Sequence, residues 1–249
     1  MYYIRSFTGE DWYFNASITK AWVKLQLALA LAKTRLNKGS KMKSRLSSML
    51  ELQDAMNSKV NAGWRHQGFP WYRAIWVECA ELLDHYGWKW WKHQQPDMEQ
   101  VKLELIDIWH FGLSQLLLDN ADEAALATDL EKVFQAADFT GASDFRDQLE
   151  AFTLSTLSTK SFDPQQFVVL LNCAELDFDE LYTRYIGKNV LNFFRQDHGY
   201  QDGTYNKVWA GREDNEHLVE LSSELDSSDP GFKDALYAGL ATRYKACGD

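Results

Sequence analysis

At 249 residues, 45% hydrophobic and 25% charged, the chain is long enough to bury a substantial core and too apolar to be a disordered tract. A formal net charge of −10 speaks against a surface that coats nucleic acid, which needs clustered lysine and arginine. The three cysteines, Cys79, Cys173 and Cys247, are odd in number, far apart and outside any CxxC, so a disulfide framework is not expected and a reducing, cytoplasmic setting is.

The first 41 residues stand apart. They hold seven Lys/Arg and two Asp/Glu, against 19 and 34 in the remainder. Ala21 to Ala32 is apolar but interrupted by Lys24 and Gln26, too short and broken to span a membrane. Glu10 and Asp11 precede it, unlike a secretory leader. We read 1–41 as an accessory N-terminal extension, with Met42 as an alternative natural start, and 42–249 as one all-α domain. Leu46, Met49, Leu50, Leu52 and Met56 recur at helical spacing. A looser Gly/Trp/Pro segment runs from Gly63 to Trp71. A helix near Tyr72 to Tyr86 is broken by Gly87 and ended by Pro96. Another spans about Met98 to Leu118. The stretch 121–160 reads as one or two further helices. Pro164 suits a first helical position with Asp163 as its cap, and Asp177 with Glu180 resembles a capping box before a helix to about Gln196. Gly199, Gly203 and Gly211 then mark a loop. With no alternating β-branched run and no repeat, the fold class is all-α, a helical bundle.

The richest chemistry lies between Glu78 and Asp107. Glu78 and Glu81 are three apart on one helix, Glu104 and Asp107 three apart on the next, and residues at that spacing share a face. The intervening turn can fold the two helices antiparallel and bring four carboxylates together. Their neighbours are strongly apolar, and unpaired acids there would be costly to bury. A hard cation with oxygen ligands, Mg²⁺ or Mn²⁺ rather than Zn²⁺, removes that cost. Each pair alone is more often an ordinary solvated helix face. His85, His93 and His110 match no zinc-ligand spacing. Trp88 to Lys92 interleaves cations and aromatics: Lys89 and Lys92 could reach phosphate, or the stretch could be a tryptophan-rich helix end. Lys188, Asn192 and Arg195 form one helical stripe suited to a polyphosphate, or a solvated face. The Gly/Tyr-rich segment after it, 199–205, could close over a site.

At these residues the sequence resembles the dimeric dUTPases, within the all-α nucleoside-triphosphate pyrophosphohydrolases that include MazG. The blocks are Leu52-Gln53 with Asn57, Glu78-Cys79-Ala80-Glu81-Leu82, Trp88 to Lys92, Glu104 with Asp107-Ile108-Trp109-His110-Phe111, and Tyr185 to Gln196 continuing to Glu213-Asp214-Asn215. The resemblance implies hydrolysis of dUTP to dUMP and pyrophosphate, and of dUDP to dUMP and phosphate, by in-line attack of water on the β-phosphorus. Glu78, Glu81, Glu104 and Asp107 would hold two or more Mg²⁺ ions, with Mn²⁺ a possible substitute, and Glu78 or Glu81 would act as general base. Gln53 and Asn57 would read the uracil edge, with Trp64, His110 and Phe111 lining the uracil and deoxyribose pocket. Lys89, Lys92, Lys188, Asn192, Arg195, Tyr200 and Lys207 would cradle the phosphates. It further implies a homodimer with no nucleic-acid or membrane partner. The competing expectations are a relative with another base preference, such as dCTP, and a non-catalytic nucleotide-binding regulator.

Overall fold

In the computed structural model, residues 41–136, 144–227, 229 and 231–247 are described. The accessory segment 1–41 lies outside them apart from its last residue. Residues from Arg45 onward form one compact unit; of the preceding unit only 41–44 are described, and they are helical. Nine helices are present among the described residues, with one two-stranded hairpin. We label the helices α1 (41–60), α2 (Trp71–Tyr86), α3 (Met98–Asp119), α4 (Glu123–Ala136), α5 (Phe145–Thr159), α6 (Pro164–Cys173), α7 (Phe178–Asp197), α8 (Asp214–Glu224) and α9 (Phe232–Lys245). The hairpin pairs β1 (Val208–Trp209) with β2 (Arg212–Glu213). No described helix is long and apolar enough to cross a membrane.

The stretch 121–160 is two helices, α4 and α5. The sequence reading also left α8, α9 and the hairpin undrawn. The hairpin turns on Ala210 (φ 49°) and Gly211 (φ 79°), the pair of positive φ values that a two-residue turn between twisted strands needs.

The core is organised around α3. Its Val101, Leu105, Ile106, Ile108, Trp109 and Leu113 are fully buried, and a helix apolar on most sides must be surrounded. Asp97 caps it by accepting from the Gln100 N–H at 3.2 Å. Helix α2 packs along it; Gly87 (φ 92°) ends α2, and the Asp97 N–H donates to the His85 carbonyl at 3.0 Å, which pins the return between the two helices. Helices α5 and α6 close the aromatic side of the core, where Trp109 stacks on Phe167 at 5.2 Å and 5°. Gly112 lets α3 approach Phe162: a Cβ there would lie 2.7 Å from the ring. On α1 the buried positions Leu46, Met49, Leu50, Gln53, Met56 and Asn57 make one stripe, and two of its six members are amides. That stripe, the acidic face of α2, the polar face of α3 and the stripe of α7 line one cleft together.

Candidate active site

The cleft holds about 700 Å³. Its lining includes all four predicted carboxylates, Glu78, Glu81, Glu104 and Asp107. Gln53, Asn57, Trp64, His110 and Phe111 line it, as do Lys188, Asn192, Arg195, Tyr200 and Lys207. Lys89 and Lys92 do not. Past Gly87 the chain leaves α2 in a turn of its own, where Lys89 sits 3.8 Å from Asp84 and over the Trp88 ring, and Lys92 is exposed.

Three of the four acids meet closely. Glu78, Glu104 and Asp107 each offer an oxygen within 4.8 Å of the others. Glu81 lines the same cleft but is exposed and stands outside this cluster. Burial pushes the Glu78 carboxyl up to about 8, helped by the charge of Asp107 and by a hydrogen bond shared with Glu104. Burial and Asp107 also raise Glu104. A carboxyl kept protonated at neutral pH by burial and by neighbouring acids marks a cluster with too much negative charge for its surroundings. An all-oxygen set of this kind suits a divalent hard cation. A cation already leans on it: Lys188 Nζ is 2.8 Å from Asp107 Oδ2, buried, and donates also to Asn215 Oδ1 at 3.3 Å; His85 Nε2 lies 3.5 Å from Glu104.

Arg195 is held as a fork. Its Nε and Nη2 each donate to an oxygen of Asp214 at 2.8 Å, and the Tyr205 hydroxyl donates to the same carboxylate at 2.8 Å. Burial alone would raise Asp214, but the Arg195 hydrogen bond and charge hold it below the usual carboxylate range. The Asp214 N–H donates to the Lys207 carbonyl at 2.9 Å, so one residue organises Arg195, Tyr205 and the backbone of Lys207.

The amides of α1 are already engaged. Gln53 Oε1 faces His110 Nδ1 at 2.8 Å and the Tyr185 hydroxyl at 3.1 Å, while Gln53 Nε2 donates to Asn57 Oδ1 and Ser114 Oγ, both at 3.1 Å. Both ends of the Gln53 amide are therefore engaged within the chain. His110 stacks on Tyr185 at 4.3 Å, and burial pushes its imidazole down to about 3, so it is neutral. Trp64 donates its indole N–H to Asp54 at 3.1 Å, and Phe111 lies 6.2 Å from Trp71. Two buried polar atoms of the lining, Trp71 Nε1 and His110 Nε2, have no partner among the described residues. Sequence reasoning placed a tryptophan of the 64–91 region here and named Trp64, not Trp71; it did not single out Ser114. The only trace of Ser114 was a small polar residue one turn beyond His110 on an apolar helix.

Among the described residues, a polar cleft in a helical bundle sets clustered carboxylates beside a buried lysine and arginine, a lining suited to a phosphorylated substrate. The dUTPase family model matches residues 45–200, most of the chain and the span that supplies the acidic cluster. The chain belongs to the all-α dUTPase family and is a dUTP diphosphatase. No curated protein matches it.

Proposed function

We propose that this chain hydrolyses dUTP, and also dUDP, to dUMP in a magnesium-dependent reaction, with Mn²⁺ as a substitute. The observation that carries this reading is the convergence of Glu78, Glu104 and Asp107 in the cleft that Lys188 and Arg195 also line. Those three acids, with Glu81 beside them, would hold the ions. Bound there, a divalent cation would neutralise the polyphosphate and make a water molecule more acidic.

The chain's own groups would do the rest. Glu81, exposed and outside the tight cluster, is the carboxylate open to take a proton from the attacking water at one of its oxygens. Lys188 and Arg195 would donate to phosphate oxygens, with Asn192 between them and Tyr200 and Lys207 closing from the loop. Asp214 keeps the Arg195 guanidinium in one plane while this happens. Asn57 would meet the base edge, with Gln53 behind it. The unpaired Trp71 Nε1 and His110 Nε2, beside Trp64 and Phe111, give the nucleoside a partly apolar pocket with polar atoms to spare. We place the catalytic domain at 42–249, with 1–41 accessory, and read the protein as a cytoplasmic homodimer.

A panel of dUTP, dUDP, dCTP, dTTP and UTP, with pyrophosphate or phosphate release followed in Mg²⁺ and in chelator, tests the reading. We expect strong preference for dUTP and loss of turnover in chelator. Equal turnover of dCTP and dUTP would overturn the base assignment, and full activity in chelator the metal assignment.

A further inference from the structure

We propose that Ser114 is a specificity-determining positioning residue: it locks the side-chain amide of Asn57 in one of its two orientations, and so decides which base edge the site accepts. The proposal deepens the reading of Asn57 as the base contact and rests on it.

Ser114 is fully buried on α3. Its hydroxyl donates to the His110 carbonyl one turn back, at 3.0 Å. A carbonyl can only accept, so the single proton of Ser114 is committed there and its oxygen acts towards everything else as an acceptor. Two amide nitrogens meet that oxygen: Gln53 Nε2 at 3.1 Å and Asn57 Nδ2 at 2.9 Å. Gln53 Nε2 also donates to Asn57 Oδ1 at 3.1 Å. The three side chains close a ring in which each polar atom has one admissible identity.

Turning the Asn57 amide over breaks the ring twice. Its nitrogen would face Gln53 Nε2, donor against donor, and its oxygen would face Ser114 Oγ, acceptor against acceptor. Gln53 cannot turn with it, because its Oε1 would then face Ser114 Oγ, whose proton is committed to the His110 carbonyl, acceptor against acceptor. Asn57 keeps one N–H and one lone pair beyond the ring, and the ring fixes which end of the amide carries each. Uracil and cytosine have nearly the same shape but exchange donor and acceptor at the 4-position and N3. A side chain amide that can flip serves both bases; a locked one serves one of them.

The test is the ratio of kcat/KM for dUTP over dCTP in the Mg²⁺-loaded full chain and in Ser114→Ala, with Ser114→Thr as the variant that keeps the hydroxyl. We expect Ser114→Ala to lose about tenfold of that ratio, the worth of one hydrogen bond to a polar partner, mostly through improved use of dCTP. Ser114→Thr should keep the preference. If Ser114→Ala does not melt cooperatively, Ser114→Cys, nearly the same size with a weak acceptor, should move the ratio the same way. A variant lacking the hydroxyl that slows dUTP and dCTP in equal proportion, while the unmodified chain prefers dUTP, overturns the lock and leaves the base reading intact. An unmodified chain without preference overturns both.

Discussion

Glu78→Gln should make the metal-free protein more stable while abolishing catalysis. The Glu78 carboxyl is lifted from 4.5 to about 8, first by burial and then by Asp107 and Glu104. At about 1.4 kcal/mol per pH unit that displacement bounds the cost of ionising it at about 5 kcal/mol. Glu78 is only half-buried and faces the water of the cleft, so screening brings the effect to about 1–2 kcal/mol. The sign follows from linkage. The folded chain binds a proton between pH 4.5 and 8 that the unfolded chain has released, so this contribution is fully present below 4.5 and disappears as pH rises through 8. The amide of the variant has nothing to lose over that range. Melting curves in chelator should therefore coincide near pH 4.5 and separate towards pH 8, with the variant higher by about 2–8 °C. Mg²⁺ should then raise the melting point of the original protein and narrow the gap, because only it keeps the full ligand set. A melting difference that is independent of pH, or a variant less stable than the original at pH 8, would refute the crowded-carboxylate account.

Asp107→Asn should do the opposite to stability. It takes from buried Lys188 the charge of the carboxylate 2.8 Å away, and we expect loss of turnover together with about 3 kcal/mol of stability, read from chemical denaturation in chelator. Asp214→Asn should raise KM for dUTP through a loosened Arg195. Because the Asp214 carboxyl is held below its usual 3.8, its contribution is present above that value and lost as pH falls through the folded one, so the two melting curves should converge in acid. Gly112→Ala should cost about 1–3 kcal/mol by driving a Cβ into Phe162, with helical circular dichroism retained below the melt.

The sequence made some parts legible and hid others for physical reasons. Periodicity reveals which residues share a helix face, so the α1 stripe, α2, α3 and the carboxylates three apart could be read directly. Capping chemistry is equally local, and Asp163 and Asp177 both accept from the first-turn N–H groups expected of them. Partners far along the chain are another matter. Arg195 shows its type in the sequence but not that Asp214, nineteen residues on, holds it. Gln53 reads as a free amide, yet both of its ends are engaged within the protein. Lys89 and Lys92 follow the carboxylates closely in sequence, and only the direction of the turn after Gly87 decides that they lie outside the cleft. The hairpin at 208–213 is too short to show alternation.

The ring of Ser114, Gln53 and Asn57 also bears on how such a site could change over generations. Its members sit on two different helices, fifty-seven or more residues apart for the longest links, and none can alter its hydrogen-bonding identity without contradicting the other two. A single substitution would pass through an intermediate with mismatched polar atoms in the core, less stable and less selective at once. Base preference stored in this way resists drift, and a descendant with a different preference should differ at several of these positions together rather than at one.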